Sequence, residues 1–172
     1  MNLVILSLGS NLSSKIGDRF DNLKYALSLL NGKDIFIEKK SSFYESPSYP
    51  DFNLPKFINI AISVNTNLSP LDLILFLLNV EEKLGRKRDK KNEPRVCDID
   101  IIDYKGKLIN LKYQENELII PHKNMNSRSF VLYPLEEIMP EWKHPKTKES
   151  VLSLINKLSD EARKSILKIK KN

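Results

Sequence analysis

Apolar residues crowd positions 3–8 and give way to Gly9-Ser10-Asn11, which predicts a buried strand delivering a turn of small residues to the end of a sheet. Ile16, Phe20, Leu23, Leu27 and Leu30 then recur at helical spacing, with Gly32 placed to close the helix. Residues 35–44 predict a second strand, interrupted by charge. Residues 45–55, rich in Pro, Ser and Asn, form a loop long enough to be functional. In a third strand, 57–64, Ile58, Ile60, Ile62 and Val64 share one face, while Phe57, Asn59, Ala61 and Ser63 share the other, so an aromatic ring and an amide project together. Ser69-Pro70-Leu71-Asp72 supplies an N-cap, a proline at the first helical position and a capping acid. The helix it opens runs to Gly85 and is apolar all round, which predicts deep burial.

Residues 96–103 alternate, with Cys97, Ile99 and Ile101 on one face and Val96, Asp98 and Asp100 on the other. Lys105-Gly106-Lys107 reads as a hairpin turn, and Leu118-Ile119-Ile120 leads into Pro121-His122. Residues 128–138 have helical character, and a last amphipathic helix starts near Ser150 and ends in a basic, solvated tail. The order β-α-β-β-α-β predicts an α+β chain with a ferredoxin-like core: an antiparallel sheet with both helices on one face, followed by a C-terminal hairpin and helices. With no internal repeat and no linker, residues 1–172 are expected to form a single domain.

Composition narrows the partners. The 28 Lys and Arg exceed the 22 Asp and Glu for a net charge of +6, which favours an anion: nucleic acid, an acidic membrane surface or a phosphorylated small molecule. One cysteine, Cys97, excludes an intramolecular disulfide, and two histidines argue against a structural zinc site. The N-terminus carries no basic leader or cleavage signal, and the longest apolar run, 73–78, is far short of a membrane span, so a soluble, cytoplasmic protein is expected. None of the five glycines falls into a Rossmann, P-loop or kinase phosphate-binding pattern.

The strongest chemical feature is Pro94-Arg95-Val96-Cys97-Asp98-Ile99-Asp100. Carboxylates at i and i+2 on a strand point the same way, roughly 6–7 Å apart. Such a pair suits Mg²⁺ shared with substrate phosphates; the competing reading is a polar, solvent-facing strand edge. Beside it, residues 83–95 carry Lys83, Arg86, Lys87, Arg88, Lys90, Lys91 and Arg95 against Asp89 and Glu93, a basic loop able to hold a polyphosphate. His122 sits near Lys123, Asn124 and Arg128 and can donate to a phosphate oxygen, whereas His144 reads as incidental. Phe57 with Asn59, together with Tyr44, Tyr49 and Phe52, offers what a flat heterocycle needs.

These residues also carry a resemblance. Leu8-Gly9-Ser10-Asn11-Leu12, Ser42-Phe43-Tyr44-Glu45-Ser46-Pro47, Phe57-Ile58-Asn59, Gly85-Arg86, Pro94-Arg95 with Asp98-Ile99-Asp100, and Pro121-His122 through Arg128, Phe130 and Pro134-Leu135 occur in the order of the 6-hydroxymethyl-7,8-dihydropterin pyrophosphokinases. Nearly the whole chain, from about residue 3 to 145, resembles that family. The resemblance implies transfer of the β,γ-pyrophosphoryl unit of ATP to the pterin hydroxymethyl group for folate biosynthesis, with release of AMP. It implies two Mg²⁺ ions on Asp98 and Asp100, with Arg86 and Arg95 joining those aspartates in catalysis. Glu81, Arg86, Arg88, Arg95, Ile101, His122 and Arg128 would serve ATP, the co-substrate. Ser46, Pro47, Tyr49, Phe57, Asn59, Asp98 and Phe130 would serve the pterin. The expected partners are these two small molecules, with neither nucleic acid nor membrane, and the chain is expected to work as a monomer, beside other folate enzymes. Two alternatives stay open at this point: a ferredoxin-like nucleic-acid-binding module, raised by the basic charge, and a catalytically silent relative that binds pterin or ATP.

Overall fold

The computed structural model describes residues 3–48, 51–86, 95–113 and 115–169. The first element, β1 (Val4–Ser10), is buried along its whole length. Helix α1 (Arg19–Leu30) begins three residues later than its apolar spacing implies. Gly17, at φ +147°, turns the chain there, where a Cβ would lie 2.5 Å from Asp21 Oδ2. Asp18 caps the helix by accepting from the amides of Phe20 and Asp21, and Asp21 closes a capping box. Gly32 does not cap the helix; Asn31 does, and the Gly32 amide turns back to the Ile35 carbonyl at 2.9 Å.

The expected second strand is two strands, β2 (Ile35–Lys40) and β3 (Phe43–Ser46), both paired with β4 (Phe57–Thr66). The break falls at Ser41, whose hydroxyl accepts the Ala61 amide at 2.9 Å. Helix α2 (Pro70–Lys83) starts as its capping residues predict, with Ser69 accepting the Asp72 amide. It is not deeply buried all round: Leu71 and Leu75 remain about 40% exposed, because only one flank meets the sheet. Strand β5 (Asp98–Tyr104) pairs antiparallel with β1 and carries a bulge that accommodates Ile102. The bulge returns Tyr104 to the face of Ile99 and Ile101 and leaves Ile102 on the opposite one.

The strand order β5-β1-β4-β3, with every neighbouring pair antiparallel, is the ferredoxin-like arrangement. Helices α1 and α2 cover one face through Leu23, Leu30, Leu73 and Leu77, packed on Val4, Leu6, Ile60 and Ile62. Each such side chain contributes about 1.5–3 kcal/mol on full burial. Lys105 and Gly106, both at positive φ, make the tight turn after β5. The hairpin β6 (Ile109–Tyr113) and β7 (Asn116–Ile120) follows as a separate two-stranded sheet whose apolar side extends the same core.

The other face of the sheet is covered by α3 (Ser129–Ile138) and α4 (Val151–Asn156), packed with Trp142 on Ile5, Ala61 and Ile102. The last amphipathic helix is broken: Ser159 accepts the Ala162 amide and starts a separate α5 (Asp160–Lys164). Part of the expected solvated tail is instead β8 (Leu167–Ile169), which pairs with β3. Lys168 reaches Glu137 at 3.2 Å, and Glu137 also accepts from the Tyr44 hydroxyl at 2.7 Å and from the Ser42 hydroxyl at 2.8 Å.

Candidate active site

The end of β1, the start of β4, the start of β5 and the N-terminal end of α3 border one open cleft of about 1090 Å³. Strand register fixes its floor. Gly9 lies between Asp98 on β5 and Asn59 on β4, and Ser7 lies between Asp100 and Ala61. Period-2 alternation sends Asp98 and Asp100 to the cleft while Ile99 between them enters the core. A Cβ on Gly9 would stand 3.2 Å from Asn59 Oδ1 and 3.4 Å from the Phe57 ring, so glycine here leaves room for both side chains.

Two guanidinium groups grip Asp98: Arg86 Nη1 lies 2.5 Å from Oδ1 and Arg95 Nη1 2.8 Å from Oδ2. Arg128 stands 3.5 Å from Asp100 and 5.6 Å from the centre of the Phe130 ring. Burial, with the charge of Asp98 beside it, pushes the Asp100 carboxyl up to about 7, against the pull of Arg128. Two anions in a partly desolvated recess favour a cation between them. Their hard oxygens fit a divalent ion such as Mg²⁺, which takes a few carboxylates and completes its shell with phosphate and water oxygens. Among the described residues no group of three or more His, Cys, Asp or Glu gathers around one point, so an all-protein cage is not what these residues build.

His122 donates its backbone amide to the Ile102 carbonyl at 3.2 Å, and its Nδ1 accepts from the Asn124 amide at 3.3 Å. With Nδ1 used as acceptor, the neutral ring carries its proton on Nε2. Burial and the neighbouring Arg128 push its pKa down to about 4, so at neutral pH the ring is an uncharged donor. On the other wall, Asn59 is 3% exposed and donates its amide to the Tyr44 carbonyl at 3.3 Å and to Ser46 Oγ at 3.0 Å. Those bonds hold its carbonyl oxygen as an acceptor. Phe57 and Phe130, both half-buried, line the cleft from different elements, as do Ser46 and Pro47.

Not every residue expected at the site is on the cleft wall. Glu81 is 2% exposed and lies in the core beneath it. The Ile101 side chain joins Ile99 in the core, as its place in the alternation demands. Tyr49, Arg88 and most of the basic segment lie outside the described residues. His144 is not a loose loop residue: it is 7% exposed and packs edge-on against Trp142.

Three contributions have no counterpart in the sequence expectations. Ser7 lines the floor, where the alternation of β1 would have revealed it. Asn11, 2% exposed, ties three loops together: its side chain accepts the Arg95 amide at 2.7 Å and donates to the Pro55 carbonyl and to Ser48. Ser159, Glu161, Ala162 and Ser165 bring α5 to the cleft, a long-range approach that no local pattern encodes.

Carboxylates and guanidinium groups this close serve phosphate chemistry, and an amide beside two rings serves a planar partner. The fold and the cleft together define a protein that binds a phosphate-bearing anion beside a small planar ring compound. Comparison with known proteins narrows the class. Residues 5–140 match the family 7,8-dihydro-6-hydroxymethylpterin-pyrophosphokinase, and the chain belongs to that family.

Among its relatives, the 2-amino-4-hydroxy-6-hydroxymethyldihydropteridine pyrophosphokinase of Aquifex aeolicus is 39% identical over 84% of this chain and 85% of its own length. The Synechocystis protein of the same name is 36% identical over 90% of this chain and 75% of its own. The Folic acid synthesis protein FOL1 of Dictyostelium discoideum is 41% identical, but the chain spans only 20% of that longer protein. The fold is similar to that of Plasmodium falciparum HPPK-DHPS, with a TM-score of 0.71 at 18% identity, covering 91% of this chain and 44% of that one. No helix among the described residues is long and apolar enough to cross a membrane.

Proposed function

We propose that this chain transfers the β,γ-pyrophosphoryl unit of ATP to the hydroxymethyl group of 6-hydroxymethyl-7,8-dihydropterin, acting as a single domain in the cytoplasm. The observation that carries the reading is the meeting of Asp98, Asp100 and three arginines with Asn59, Phe57 and Phe130 in one cleft. Membership of the pyrophosphokinase family supports it. The substrate hydroxyl oxygen bonds to the β-phosphorus as the bond from that phosphorus to the α,β-bridging oxygen breaks; AMP leaves and the hydroxyl proton is released.

Phe57 and Phe130 hold the flat ring, and the Asn59 carbonyl accepts from its edge, with Ser46 and Pro47 beside it. Asp98 and Asp100 would hold two Mg²⁺ ions, which when bound neutralise phosphate charge. Arg86 and Arg95, which lie on Asp98 in the free protein, turn their donors to the phosphate oxygens, and Arg128 and His122 Nε2–H add further donors. Alignment of the hydroxyl with phosphorus and exclusion of water account for the rest, with no covalent enzyme intermediate.

The test is AMP release from Mg·ATP with and without the pterin, with the pterin product identified by mass. Pterin-dependent AMP and a pyrophosphorylated pterin are expected. Tight binding of either substrate without AMP would overturn the reading in favour of a silent relative, and salt-sensitive RNA binding without either would return the nucleic-acid alternative.

A further inference from the structure

We propose that Glu81 is a positioning residue that acts through Arg86 and never meets the nucleotide. The inference rests on the pyrophosphoryl-transfer reading of the cleft. Among the described residues β5 pairs with β1 alone, so no described strand lies along its outer edge. The amide of Ile99, midway between the two aspartates, would be left without a partner on that edge. Glu81, in the last turn of α2, supplies the acceptor that a neighbouring strand would: its Oε1 accepts the Ile99 amide at 2.7 Å. The same oxygen lies 2.6 Å from Arg86 Nη1, which in turn lies 2.5 Å from Asp98 Oδ1.

A carboxylate with 2% of its surface exposed must be matched by a positive charge, and Arg86 supplies it. The guanidinium is therefore tethered from below by Glu81 and touches Asp98 above. When substrate claims Asp98, Arg86 keeps one anchor and its charge stays at the phosphates. Glu81 thus sets both the height of the aspartate-bearing strand and the place of the arginine.

A double-mutant cycle tests this, with Glu81→Gln, Arg86→Gln and both together, reading kcat, the KM of each substrate and thermal stability. Gln at 81 keeps an acceptor for the Ile99 amide but removes the charge that holds Arg86. Glu81→Gln is expected to lower kcat by roughly tenfold or more, with the pterin KM within twofold of wild type. In the Arg86→Gln background the same change is expected to cost less than twofold. Losses that multiply, or a Glu81→Gln enzyme with near-normal kcat, would overturn the proposal.

If Glu81→Gln alone does not fold, the double variant decides. Recovery of folding with the activity of Arg86→Gln supports the pairing, and failure to recover overturns it. A wild type that releases no pterin-dependent AMP would overturn the functional reading instead. The cycle is then read in affinity for a non-hydrolysable ATP analogue, where additive losses overturn the Glu81 role.

Discussion

Strand β5 carries a third acid, Asp103, that the Asp98–Asp100 pair invites one to read as a further cation ligand; the structure gives it to the fold. Asp103 is 4% exposed and accepts from Trp142 Nε1 at 2.7 Å and from the Gly106 amide at 2.8 Å. Trp142 is itself 2% exposed, so its donor has no access to water, whereas Gly106 lies in an exposed turn. Asp103→Asn leaves one acceptor oxygen for two donors and turns an amide N–H toward the other. Orphaning a buried donor costs about 1–3 kcal/mol, and losing the charge assistance adds to it, so Asp103→Asn should destabilise by about 2–3 kcal/mol, most of it through Trp142.

Equilibrium urea unfolding followed by circular dichroism measures this in every variant, and Trp142, the sole tryptophan, adds a fluorescence reading of its own surroundings wherever it is retained. Trp142→Phe should cost a comparable amount, and the double variant clearly less than the sum. The kcat of folded Asp103→Asn should stay within about threefold of wild type, since the side chain points away from the cleft toward the C-terminal layer. A loss under 1 kcal/mol, additive behaviour with Trp142→Phe, or a kcat drop comparable to that of an Asp100 variant would refute the argument.

Replacing Asp98 or Asp100 by Ala should lower kcat at least about 10³-fold, in steady-state AMP release, with the fold intact by circular dichroism; near-normal turnover in either would contradict their assignment. Gly9→Ala should raise the pterin Kd by about tenfold while leaving the ATP Kd unchanged, since the added methyl meets Asn59 Oδ1 at 3.2 Å; calorimetric titration of each ligand separates the two. Burial works to raise the Glu137 pKa, but hydrogen bonds from Tyr44, Ser42 and Lys168 outweigh it and hold it below the ordinary glutamate value. A depressed folded-state pKa gives stability that is full above the unfolded value and lost as pH falls through the folded one, so wild type should weaken on acidification more steeply than Glu137→Gln, by urea midpoints from pH 7 to 3.

Much of the fold was legible because its signals are local. Ser69-Pro70 announces the start of α2, and the alternation in β4 sorts Ile58, Ile60 and Ile62 from Phe57 and Asn59 onto the faces where they are found. What escaped depends on partners distant in the chain. The split between β2 and β3 follows from Ser41 meeting Ala61 on β4, and β8 exists because β3 offers it an open edge. The burial of α2 was overestimated for a related reason: hydrophobicity of 70–83 tells how much apolar surface the helix has, not how much of it the sheet can reach, and Leu71 and Leu75 fall beyond that reach.

At the cleft the same division holds one level down. Asp98 and Asp100 were readable because two charges that alternate with Cys97, Ile99 and Ile101 must face a different medium from them. The pattern is silent on what each charge touches, and that contact decides its role. Asp98 is held by two guanidiniums, Asp100 sits nearer Arg128, and Asp103 is spent on an indole, so three acids on one strand have three different duties. Asn11 makes the point from the other side. Its position after Gly9-Ser10 reads only as a turn, yet its side-chain amide joins the loops that carry Arg95, Ser48 and Pro55, and so fixes the distance between the phosphate-facing and ring-facing walls. A residue of that kind contributes no chemistry of its own, so no motif of reactive groups exposes it; only the set of hydrogen bonds converging on a buried amide does.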